Sequence, residues 1–151
     1  MRRHFITAAL LATAFLSAGI PGVAVAADGP AASGASTGRG KVIFQVSDND
    51  PAKWNLALNN AKNVQQDLGA KKVDIEIVAY GPGIGMLKLD SPVGNRVGEA
   101  MASGVKVVAC ENTMHAQKLA REDMLSKIGY VKAGVVELMQ KQRQGYAYIR
   151  P

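Results

Sequence analysis

"GVKVVACENTM", residues 104–114, is the stretch from which the architecture can be worked out. A glycine opens it. Val105, Val107, Val108 and Ala109 form a nearly continuous apolar run with one lysine inside it. Such a run, bounded by turn residues, reads as a strand buried on both faces. It ends on Cys110, the chain's single cysteine, and "ENTMHAQKLAR" follows at once. Asn112 or Thr113 can cap a short helix there. A buried strand that passes directly into a helix is half of a βα unit.

The alternation holds on both sides. Upstream, "KVIFQVS" (41–47) is a β-branched and aromatic run, and the "DNDP" turn after it offers Asn49 or Asp50 as a helix cap with Pro51 in the first turn. Trp54, Leu56, Leu58, Ala61, Val64 and Leu68 then recur at helical spacing until Gly69. "VDIEIVAY" (73–80) alternates and then turns apolar, which suggests a second strand, and "GPGIG" breaks it. A helix is expected over 93–103. Downstream, "IGYV" (128–131) is a short fourth strand. "AGVVELMQKQRQG" is a helix with Val135, Val136, Leu138 and Met139 on its inner side, and "YAYI" (146–149) is a fifth strand. Five strands alternating with helices imply an α/β domain, a three-layer α/β/α sandwich around a mostly parallel sheet. The expected strand order is 2-1-3-4-5. That order makes strands one and three neighbours and puts the reversal of winding, where ligands bind, between them. Cys110 then sits at the mouth of the crevice, with the "SDND" turn opposite.

The chain has 151 residues and a formal charge of +6. Arg2 and Arg3, an apolar stretch from about residue 5 to 20, and Ala24 and Ala26 before "ADGP" have the layout of a secretory signal peptide over 1–26. The apolar stretch is shorter than the roughly 20 residues a spanning helix needs. Loss of the leader leaves 16 basic against 12 acidic residues, a charge of +4. That mild excess does not call for nucleic acid, and no membrane association is expected after cleavage. Residues 27–40, rich in Gly, Ala and Ser, read as a flexible linker. The domain is expected over 41–151. Export to an oxidising compartment, the periplasm, makes a lone thiol notable, because it has no intramolecular partner. It is either a free reactive group or a buried inert one.

Few residues offer help to Cys110. A cysteine just before a helix start gains N–H donors that lower its pKa, whereas Glu111, Asp48 and Asp50 would raise it. His115, the only histidine left after cleavage, is either a base for the thiol or a solvated helix residue. One Cys and one His do not make a metal site within a chain, so no metal is expected. The run contains no C-x-x-C-H, so no haem attachment, and no cofactor is expected. "YGPGIGML", with Gly81, Gly83 and Gly85, is either a phosphate-cradling loop or a tight loop bringing backbone close to the crevice; it lacks the G-x-G-x-x-G spacing. The crevice neighbours expected around Cys110 are thus Asp48, Asn49, Glu111, Asn112, Thr113, His115 and the three glycines.

Four stretches in register, "VIFQVSDNDPAKWNLALNNAKNV", "IEIVAYGPGIGML", "VVACENTM" and "GVVELMQKQRQGYAYIRP", together resemble the DsrE/DsrF-like family, and most closely its exported single-domain members. The resemblance implies the same three-layer fold, a homotrimer or homohexamer, and sulfur relay, in which a loop cysteine matched here by Cys110 carries a persulfide between a donor and an acceptor protein. The better-understood relay members are cytoplasmic, whereas this chain looks exported. The leading expectation is thus an exported protein that handles sulfur through Cys110, by persulfide carriage or by thiol exchange with a partner, and the reading from a different class is a non-catalytic oligomeric binding module with a silent cysteine.

Overall fold

The computed structural model describes residues 38–151; the expected signal peptide and most of the expected linker lie outside the described residues. β1 (Gly40–Val46) begins the domain, and Arg39 just before it is already tied down, ion-paired to Asp74 at 2.9 Å. α1 (Pro51–Leu68) starts where expected, with the Asp50 carboxylate accepting from the Ala52 N–H and Gly69 ending it at φ 90°. β2 (Val73–Ala79) follows, then a 3-10 stretch over Gly81–Leu87 that was expected only as a chain break. α2 (Gly94–Ala102), β3 (Lys106–Cys110), α3 (Glu111–Ala116), β4 (Gly129–Val131), α4 (Gly134–Arg143) and β5 (Ala147–Ile149) complete the alternation.

All four strand pairings are parallel, which confirms the α/β class. The order is β4-β3-β2-β1-β5, so the expected 2-1-3-4-5 is corrected. β2 separates β1 from β3, and the reversal of winding falls between β1 and β5. The physical reason lies in burial. β1 and β2 are seven residues long and almost wholly buried, so each needs a neighbour on both sides. β4 and β5 have three residues each and are half-exposed, which suits them to the edges.

The two faces of the sheet are covered unequally. Val42, Phe44 and Val46 of β1 and Ile75 and Ile77 of β2 point to a large core shared with Trp54, Leu58 and the 3-10 stretch. Each such side chain contributes about 1.5–3 kcal/mol on burial. The opposite face carries only Ile43, Val78, Val108 and Leu138 as a fully buried cluster, and α4 alone lies across it. Two expected apolar helix faces, on α4 and on α1, are corrected by the burial pattern, whereas the 3-10 stretch is well covered. Ile84, Met86 and Leu87 are buried in the chain's own core. Of the α4 residues expected to face inward, only Leu138 does; Val135, Val136 and Met139 are about half-exposed. Leu56 and Leu68 of α1 are likewise exposed rather than packed.

Candidate functional site

Because every strand is parallel, the carboxyl ends of all five meet at one end of the sheet. Cys110 is the last residue of β3 and shares the side of the strand taken by Val108, which faces α4. It is only 5% exposed. The β3 strand passes into α3 with no intervening residue, so the amides of Asn112 and Thr113 lie around the sulfur. The chain then returns through β4, and the turn Lys132–Ala133 brings the start of α4 over the same atom.

The donors that meet the sulfur come from both helices. Burial pushes the Cys110 thiol up, but the Thr113 hydroxyl and the amides of Gly134, Thr113 and Asn112 outweigh it and hold the thiol below its ordinary value. The Thr113 oxygen accepts from the Gly81 N–H at 2.9 Å, which leaves its own proton free to point at the sulfur. The Lys132 carbonyl lies 3.9 Å from Sγ and accepts when the thiol is protonated. The same carbonyl accepts from the Asn112 N–H at 3.1 Å, which locks the β4–α4 turn to the start of α3. The pocket therefore suits both forms of the sulfur, with more donors for the anion.

Tyr80, the first residue beyond β2, walls the site. A Cβ on Gly134 would stand 3.0 Å from the Tyr80 ring, so the missing side chain at 134 lets helix and ring close together. Burial raises the Tyr80 pKa, and Tyr148, Asp48 and Cys110 add to the rise, while Arg150 opposes it. Around the rim, Asp48 pairs with Lys53 at 3.2 Å and Arg150 at 3.4 Å, and the Tyr148 hydroxyl donates to Gln45 at 2.6 Å.

The structure distributes the expected neighbours as follows. Thr113, Asn112 and Gly81 belong to the site. Asp48 is at its rim, and the hydrogen bond from Lys53 holds its carboxyl below the usual range. Glu111 is drawn aside by Arg121 at 2.8 Å, and Asp50 by its helix cap, so both carboxylates have other partners. Asn49 packs at Gly85, next to Trp54, on the α1 side of the sheet. Gly83 crosses the end of β1 so closely that a Cβ would fall 2.3 Å from the Val46 carbonyl oxygen. Gly83 and Gly85 are thus close-packing positions within the core. His115 is exposed in the last turn of α3. Gly134, Lys132 and Tyr80 join the site without having been among its expected residues. The glycine at the start of a helix rich in apolar residues was the available signal. No group of three or more His, Cys, Asp or Glu suited to a metal occurs among the described residues, and no described helix is long and apolar enough to cross a membrane.

Residues 40–151 match the DsrE/DsrF-like family. Among solved structures, a protein of unknown function from Methanobacterium thermoautotrophicum, MTH1491, is 35% identical. The match covers 74% of this chain and 99% of that one, with a TM-score of 0.71. The YchN protein of E. coli (12% identity, 75% and 99% covered, TM-score 0.60) and BT1422 of Bacteroides thetaiotaomicron (16%, 74% and 94%, 0.60) share the fold. No curated protein matches the chain.

Proposed function

The chain belongs to the DsrE/DsrF-like family, and from that premise we propose that it handles sulfur through Cys110, as a persulfide carrier between a donor and an acceptor protein. The observation that supports this most is the surroundings of Sγ: the Thr113 hydroxyl and the amides of Gly134 and Thr113, with the Asn112 amide shared with the Lys132 carbonyl, favour the negative charge that the sulfur must carry to react. The Cys110 thiolate attacks the terminal sulfur of a donor persulfide. The S–S bond of the donor breaks, the donor leaves as a thiolate, and Cys110 becomes Cys–S–SH. An acceptor thiolate then attacks that terminal sulfur and displaces the Cys110 thiolate, which the donors receive. No net oxidation occurs in either step. Near-complete burial of Cys110 shields the persulfide from stray thiols.

The same burial favours the second reading, a binding module with a silent cysteine. Intact mass spectrometry of the native protein separates the two. Additional sulfur on Cys110, absent in Cys110→Ser, supports the carrier. A thiol that neither holds sulfur nor reacts until the protein is denatured supports the module. We further propose that the protein is exported to the periplasm and works as a homotrimer or homohexamer. Copies would associate through the exposed apolar residues of α4 and through Tyr148 on β5. Fractionation of cells and light scattering test these two points.

A further inference from the structure

The face that carries Cys110 also buries a carboxylate that the sulfur chemistry does not use. Glu76, in the middle of β2, is 1% exposed, and neither of its oxygens has a well-directed hydrogen bond within the described residues. Its nearest partner is the Lys141 ammonium of α4 at 2.7 Å. Lys106 of β3 lies at 3.7 Å but is largely in solvent. Glu137, one turn before Lys141, reaches the same place and bonds to Lys141 at 3.5 Å. The other charged groups near the cluster are Lys41 of β1, which bonds the Gln144 carbonyl at the end of α4, and Lys132, which shares with Glu137 a groove of about 420 Å³ beside the helix. The Tyr146 ring lies 5.0 Å from Lys141.

What holds α4 down is therefore unusual. Along its ten residues only Gly134 and Leu138 are buried. Leu138 is its one large apolar anchor, and the rest of its attachment is this charged cluster. Its first residue delivers an amide to Cys110. Anything that loosens the cluster loosens that amide and the cover over the sulfur. We propose that Glu76, Glu137 and Lys141 form a proton-responsive latch that holds α4 over Cys110.

The direction follows from the geometry. A protonated Glu137 adds no second negative charge beside the Glu76 carboxylate, and Lys141, 2.7 Å from Glu76, neutralises the charge that remains. When that proton leaves to solvent, two carboxylates face each other in a buried place with one close cation. Burial raises the Glu137 pKa first, and the neighbouring Glu76 carboxylate raises it further, against the pull of Lys141. A raised pKa in the docked state means docking binds the proton. The extra hold is complete below the ordinary glutamate value of 4.5 and is lost as pH rises through the docked value. The latch tightens in acid and relaxes toward neutrality.

Amide hydrogen exchange on the full chain, from about pH 4 to pH 8, tests this across the glutamate range. Protection factors of α4 amides are compared with those of β2 amides, which report global unfolding. Wild-type α4 protection should fall with rising pH, by about tenfold for each unit by which docking raises the Glu137 pKa. Glu137→Gln, which keeps the size of the side chain and cannot titrate, should hold its protection flat over the same range. Alkylation of Cys110, expressed per thiolate, should follow α4 protection in both proteins. A wild-type profile that does not change with pH, or an unchanged slope in Glu137→Gln, overturns the latch. The role of the latch in sulfur transfer rests on the carrier reading above. Exchange reports the latch itself, so a Cys110 that never loads sulfur would sink the carrier and leave the exchange result standing.

Discussion

Thr113→Val removes one hydroxyl and keeps the shape of the side chain. In the wild type that hydroxyl accepts from the Gly81 N–H at 2.9 Å and donates to the Cys110 sulfur. A hydrogen bond to a charged group is worth about 1.5–3 kcal/mol, and 1.36 kcal/mol corresponds to one pKa unit. Sulfur is a weak acceptor, so the lower end applies. The Cys110 titration midpoint should therefore rise by about one unit, and the thiolate present at neutral pH should fall about tenfold. Thiolate absorbance followed against pH measures this directly, because the chain has one cysteine. Thr113→Ser restores the hydroxyl and should return the midpoint close to wild type. The valine variant also strands the Gly81 N–H, at a cost of about 1 kcal/mol or more in stability, so urea unfolding belongs beside the titration. Equal midpoints for the folded valine and wild-type proteins would refute the idea that Thr113 stabilises the anion.

Three other outcomes are expected. Gly83→Ala puts a methyl 2.3 Å from the Val46 carbonyl, a backbone atom that cannot swing away; it should cost about 3 kcal/mol or more in urea unfolding, whereas Gly98→Ala, with open space at the same position, should not destabilise. Because the folded Cys110 pKa is depressed below 9.0, its thiolate contributes stability that is fully present above the unfolded value and is lost as pH falls through the folded one. Thermal melts of wild type should thus gain on Cys110→Ser across the alkaline range, and parallel curves would contradict the depressed thiol. Met139→Glu places charge on the exposed side of α4 and should shift light scattering toward smaller species while leaving the circular dichroism unchanged; an unaltered oligomer would move the interface elsewhere.

Most of the elements were legible because each is punctuated. Asp50 and Pro51 open α1, Gly69 closes it, and the apolar run of β3 ends at a capping segment. Cys110 at the carboxyl end of β3 followed from the same reading. Strand order was not legible, since it depends on which strand is buried on both edges, and local spacing does not carry that information. "VDIEIVAY" shows why. Its alternation puts Asp74 and Glu76 together on the face opposite Val73, Ile75 and Ile77. Asp74 is partly exposed there, but Glu76 lies under α4, a helix more than fifty residues further on. The donors on Cys110 were half legible. Asn112 and Thr113 are its chain neighbours, whereas Gly134 arrives only after β4 has turned the chain back. The inner side of α4 was misread for a related reason: nothing in "GVVELM" tells which residues of a helix meet a sheet and which are left outside.

The pairing of β1 with β5 has a consequence for how the chain folds. Val42 pairs with Ala147 and Phe44 with Ile149, partners over a hundred residues apart. During synthesis β1 can pair with β2 early, yet the edge that β5 covers stays open until β5 has emerged. For that interval the strand "VIFQV" presents a flat, apolar, unpaired edge, the kind that recruits another chain. Closing so long a loop is slow compared with the local βα steps before it. The five residues after Gln144 up to Ile149 therefore act as a late seal. A chain that lacks them should keep its helices and lose its solubility.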